Sequence, residues 1–102
     1  MPKRTKKYEV SLAEALKNPT EAAAYLNVHL EEDEDDAEEL FLLALRDIAK
    51  AYGISKVSEK AELGRESLYK TLSESGNPKL KTLKALLDSF GLRLAVEPKK
   101  VS

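Results

Sequence analysis

Residues 40–45 read LFLLAL, and winding that run into a helix leaves no polar face. A helix that is apolar almost all round is stable only where other elements surround it. The run has helix signals at both ends. Asp36 stands before Ala37 as an N-cap residue, and Gly53 follows Tyr52 as a stop. The spacing therefore predicts a central helix over residues 37–52, and the rest of the chain must enclose it.

The flanking segments supply further helices. Asn18 reads as an N-cap, with Pro19 at the first helical position and Glu21 in the first turn. That helix is expected to reach about Leu30, with Ala22, Ala23, Leu26 and Leu30 on one face. Before it, SLAE at residues 11–14 has the form of a capping box and predicts a short helix over residues 11–17. After Gly53, Ser55 reads as the cap of a helix ending near Leu63. A second short helix starts at Gly64 or Arg65 and runs to about Leu72. ESGNP is a turn. Leu80, Leu83, Leu87 and Phe90 then recur at helical spacing up to Gly91. LRLAVEP alternates and predicts a short strand ended by Pro98. A lone strand needs a partner, either within the chain or in a second copy.

A chain of 102 residues makes one domain, here residues 11–98, between a basic arm at 1–10 expected to be disordered and a tail at 99–102. It has no cysteine, which removes disulfides and thiolate metal sites. It has no apolar run of about 18 residues for a membrane span, and its basic start lacks the apolar stretch of a signal peptide. A soluble cytoplasmic protein is the expectation. His29 is the only histidine, and no nucleophile stands with a base. The glycines mark helix ends and turns, not a phosphate loop. An enzyme is not expected, nor a cofactor or metal.

The net charge of −1 conceals an asymmetry. Residues 1–49 carry 6 basic and 12 acidic side chains, a balance of −6; residues 50–102 carry 11 and 6, a balance of +5. Lysine and arginine displace counterions from phosphates, so the basic half suits nucleic acid. The acids concentrate in residues 31–39, EEDEDDAEE, with eight carboxylates in nine positions. Their simplest role is a solvated linker whose last members sit at the positive end of the next helix. A calcium loop would need spaced ligands and a glycine at its turn.

The two short helices over residues 55–72 form a candidate helix-turn-helix. Val57, Ala61 and Leu63 face Leu68 and Leu72, which leaves Arg65, Glu66, Ser67 and Lys70 outward. The second helix of such a pair enters the major groove with its N-terminal residues at base edges. Arg65 fits guanine, Glu66 fits cytosine or orients Arg65, Ser67 fits either base type, and Tyr69 fits sugar or a thymine methyl. Ser55 and Lys56 at the start of the first helix are candidate phosphate contacts, with Asn77, Lys79 and Lys81 beyond the second. A plain charged helix surface would show the same residue types.

Residues 45–94, with the string RESLYKTLS…GNP…TL…L…GLRL, resemble the prophage-type addiction-module antidote proteins. These are antitoxins of the HigA kind with a helix-turn-helix of the Xre/Cro superfamily. The segment PTEAAAYLNVHLEE fits the opening helix of that family, so the likeness spans about residues 18–96. It implies an all-α fold: a five-helix phage-repressor-like bundle with a helix-turn-helix, here with a short C-terminal strand. It also implies a homodimeric repressor of its own operon, binding double-stranded operator DNA, and a cognate toxin of the RelE/HigB type. Such sequences usually carry glycine where Glu62 stands and serine where Gly64 stands. Either Glu62 accepts the turn conformation or the turn moves to Gly64.

Phe90, Leu92, Leu94 and Val96 are the candidate dimer contacts. Toxins that cut RNA are basic, so Glu31, Glu32, Asp33, Glu34, Asp35 and Asp36 are the candidate toxin contacts. The alternative is a stand-alone phage-type regulator without a toxin.

Overall fold

The computed structural model describes residues 6–31, 35–73 and 75–99. They form an all-helical globule of six helices: α1 Lys6–Leu16, α2 Pro19–Glu31, α3 Ala37–Tyr52, α4 Ile54–Lys60, α5 Arg65–Thr71 and α6 Leu80–Ser89. Helix α3 lies at the centre, packed against α1, α2 and α4, and α4 in turn meets α5 and α6. This is the placement that an all-round apolar helix demands. Leu42, Ala44, Leu45, Ile48 and Ala49 are buried, and Leu45 and Ile48 have no exposed surface. Each leucine-sized side chain so placed contributes about 1.5–3 kcal/mol. Among the described residues no helix is long and apolar enough to cross a membrane.

Several starts and stops follow local chemistry. The Asn18 side chain accepts from the backbone N–H of Thr20 at 2.9 Å and of Glu21 at 3.4 Å, and Pro19 opens α2. Asp36 stands at the cap of α3 but makes no side-chain cap bond; its carbonyl accepts from Leu40 N–H at 2.9 Å. Gly53 joins two helices at one residue. Its N–H closes α3 on Ala49, and its carbonyl opens α4 to Val57. It does so at φ +106°, a conformation natural to glycine.

Helix α6 ends in a Schellman motif. Leu92 N–H donates to Leu87 carbonyl at 2.8 Å, and Gly91 N–H to Asp88 carbonyl at 3.0 Å, with Gly91 at φ +78°. Leu92 then folds back, half-buried, against the core. Tyr52 fastens this end to the turn between α1 and α2. Its hydroxyl lies 2.9 Å from the Lys17 carbonyl and 3.1 Å from the Phe90 carbonyl, and its ring sits 5.5 Å from that of Phe90.

Five expectations are corrected. The described residues form six helices, not the five of the expected bundle. Helix α1 begins at Lys6, so the second half of the basic arm is helical and Ser11 sits inside the helix instead of capping it. Residues 1–5 lie outside the described residues, as do 100–102. Helix α4 begins at Ile54, after Gly53, so Ser55 is likewise internal. Leu30 is 64% exposed and does not join Ala22 and Leu26 in the core. Residues 92–99 form no strand, and among the described residues there is none. The alternating pattern is present, but among the described residues nothing pairs with it.

Candidate nucleic-acid interface

The candidate surface is built on the turn between α4 and α5. Helix α4 ends at Ala61. Glu62 follows at φ +55°, the left-handed region that non-glycine residues rarely enter. Leu63 N–H donates back to Ser58 carbonyl at 3.0 Å, and Glu62 N–H to Glu59 carbonyl at 3.3 Å. This is a second Schellman motif, with glutamate in the position that glycine usually takes. The buried Ser58 hydroxyl donates to the Leu63 carbonyl and so binds the turn from below. Leu63 packs against the core. The first of the two alternatives therefore holds: Glu62 takes the left-handed position. Gly64, at φ −66° and ψ 156°, is an extended cap residue that needs no glycine.

Val57 on α4 and Leu68 and Leu72 beside the turn are buried to 1% exposure or less, and Ala61 to 9%. They lock the two short helices together. The opposite face of α5 is then fixed by helical geometry. Arg65, Glu66, Ser67 and Lys70 are all exposed, within one and a half turns of each other. Four of the five predicted base-contact residues thus share one solvent-facing surface.

Tyr69 is the fifth, and it points elsewhere. It is half-buried, and its ring lies under the Arg46 guanidinium at 5.2 Å. It ties α5 to α3, which leaves the sugar and thymine-methyl roles without their residue. Arg46 was missed by the sequence reasoning. Its Nε is buried without a hydrogen-bond partner among the described residues, so the stacked ring is the contact that holds the group. A signal existed: Arg46 directly follows the apolar run 40–45, and a cation set among apolar neighbours needs a partner.

The phosphate-contact candidates Ser55, Lys56, Asn77, Lys79 and Lys81 are all exposed. Ser55 and Lys56 lie in the first turn of α4. Lys79 and Lys81 flank the start of α6, where Lys79 is the cap residue. Asn77 is less well placed, because it lines a groove with Asp35 and Glu38, whose carboxylates repel a phosphate.

The acidic segment is divided. Glu31 ends α2, and Asp35 and Asp36 form the turn into α3, all three exposed. Glu32, Asp33 and Glu34 lie outside the described residues. Among the dimer candidates, Phe90 is wholly buried in the core and so has no surface to offer a second chain. Leu92 is half-buried. Leu94 and Val96 are 43% and 98% exposed.

Known proteins place this arrangement in a family. No solved structure matches the chain significantly. An uncharacterized protein of Haemophilus influenzae (strain ATCC 51907 / DSM 11121 / KW20 / Rd) is 38% identical over 89 residues, 87% of this chain and 89% of the relative. A family model described as "probable addiction module antidote protein" matches residues 5–98, which takes in all six helices and the segment after them. The chain belongs to that family of addiction-module antidote proteins.

Proposed function

We propose that this antidote protein is a sequence-specific DNA-binding repressor of its own operon, acting as a homodimer, and that it binds and neutralises a toxin of the RelE/HigB type. The observation that carries the DNA reading is the division of α5. Leu68 is wholly buried while Arg65, Glu66, Ser67 and Lys70 are exposed together, on a helix held by a hydrogen-bonded turn. In this reading α4 and α5 are the helix-turn-helix, and α5 enters the major groove. Arg65 makes the bidentate contact to guanine, and Glu66, Ser67 and Lys70 read the neighbouring positions. Ser55, Lys56, Lys79 and Lys81 hold phosphates and set the register.

Family membership supports the toxin. The exposed carboxylates of Glu31, Asp35 and Asp36 complement a basic surface, such as an RNA-cutting protein carries.

Fluorescence anisotropy on the DNA upstream of the gene tests the reading, with a scrambled duplex as control. The wild type is expected to prefer the native duplex, and Arg65→Ala to lose about 1–3 kcal/mol of that preference. Equal weak binding to both duplexes, indifferent to Arg65, would remove α5 as the reading helix. Gel filtration with the product of an adjacent basic reading frame tests the toxin: a single co-eluting peak is expected, and separate peaks would sink that half of the proposal.

A further inference from the structure

The segment after Gly91 has the composition of a strand and the environment of none. Leu92, Leu94 and Val96 alternate with Arg93, Ala95 and Glu97. The segment runs along α2, and together they wall a groove floored by Leu26, Phe41 and Leu87. Leu94 and Val96 leave much of their surface in water there, as does Leu30 on the α2 side. Among the described residues, no hydrogen bond holds residues 93–99 to the rest of the chain. The segment therefore keeps a row of backbone donors and acceptors available for pairing.

We propose that two copies of the chain pair antiparallel through residues 92–98, with Ala95 opposite Ala95 of the second copy. The proposal rests on the homodimer reading given above and specifies its interface. A two-fold axis perpendicular to the ribbon keeps each face of the segment on the same side in both copies, so only residues of equal parity stand opposite each other. Three registers are then close enough to compare.

Centred on Ala95, Leu94 faces the partner's Val96 and Arg93 faces the partner's Glu97. Each pairing occurs twice. One face is wholly apolar, and the other carries two opposite-charge pairs around a small central residue. Leu92 faces the partner's Pro98, whose missing N–H is tolerated at a ribbon end. Centred on Leu94, the apolar face still matches, but Arg93 faces alanine and Glu97 faces Gly91. Centred on Val96, Arg93 faces Lys99, a repulsive pair. Charge complementarity selects the first register.

A two-stranded ribbon is marginal alone but stable against a helix. Beside the α2 groove, the pairing sets the partner's Leu94 against Val96, which the single chain leaves 98% exposed.

The chain has no cysteine, so one introduced thiol reads the register without interference. Directly opposite residues lie about 4.5–5.5 Å apart between Cα atoms, within the span of a disulfide. Diagonal neighbours lie about 7–8 Å apart, too far for one. On the full-length chain, Ala95→Cys is expected to form a covalent dimer under mild oxidation, and Leu94→Cys to remain uncrosslinked. By analytical ultracentrifugation, Arg93→Glu and Glu97→Arg are each expected to raise the dimer dissociation constant about 10–30-fold. The double variant is expected to return to within about threefold of wild type.

A wild-type dimer that crosslinks at 94 and not at 95, or at neither, overturns the register and leaves the homodimer standing. A double variant as weak as the singles also overturns it. A wild-type chain that is monomeric throughout overturns both. The DNA reading is judged separately, by the Arg65 experiment.

Discussion

The chain uses one hydrogen-bond pattern twice. Where α4 ends, Leu63 and Glu62 bond back to Ser58 and Glu59; where α6 ends, Leu92 and Gly91 bond back to Leu87 and Asp88. Both turns place a leucine over the core. They differ in the residue at the left-handed position, Glu62 at φ +55° against Gly91 at φ +78°. Neither neighbourhood closes the position to a side chain. A Cβ at Gly91 would meet the Pro19 ring at 3.5 Å, an ordinary van der Waals contact. Glu62 is exposed, and its side chain extends into water. The bonds define the turn, and the left-handed backbone at its pivot sets what a side chain there costs. The strained copy is the one that connects the candidate reading helix to its support.

Exchanging the two residues should break the comparison most strongly at the α6 end. Gly91→Glu is expected to cost about 1–2 kcal/mol in urea unfolding, from the left-handed penalty at φ +78°. A loss below the error of the fit would mean that the α6 turn has other ways to close. Glu62→Gly is expected to stabilise the protein by about 0.5–1 kcal/mol, the left-handed penalty less the added chain entropy of glycine. A destabilised variant would show that the Glu62 side chain holds the turn by a contact. The smallest effect sharpens the same region. Gly64→Ser adds a capping hydroxyl where an added Cβ meets nothing within 4 Å, and should gain a few tenths of a kcal/mol in the same assay.

Much of the architecture was legible because it depends on local chemistry. The end of α3 follows from Gly53, and the start of α2 from Asn18 and Pro19, while Asp36 stands before α3 without a side-chain cap bond. The exposed face of α5 follows from helical periodicity once Leu68 and Leu72 are assigned to the core. The misreadings share a different cause. SLAE and Ser55 have capping chemistry, but a helix that can continue upstream makes a cap unnecessary, and both serines lie inside helices. Residues 92–97 have strand alternation, yet alternation describes what a segment can pair with, not whether a partner is present. Phe90 and Tyr69 were assigned outward roles, and tertiary contacts with Tyr52 and Arg46 claimed them instead.

The Tyr52 hydroxyl has a topological consequence. By meeting the carbonyls of Lys17 and Phe90 at one point, it draws the chain between them into a ring closed at the neck by a phenol. Helices α2 to α6, the candidate reading helix among them, lie on that ring. The segment beyond Leu92 lies outside it, as does α1, which packs onto α2 and α3. A C-terminal arm outside the closed loop can be paired or rearranged without reopening it, so a second chain can engage that arm while the ring keeps its shape.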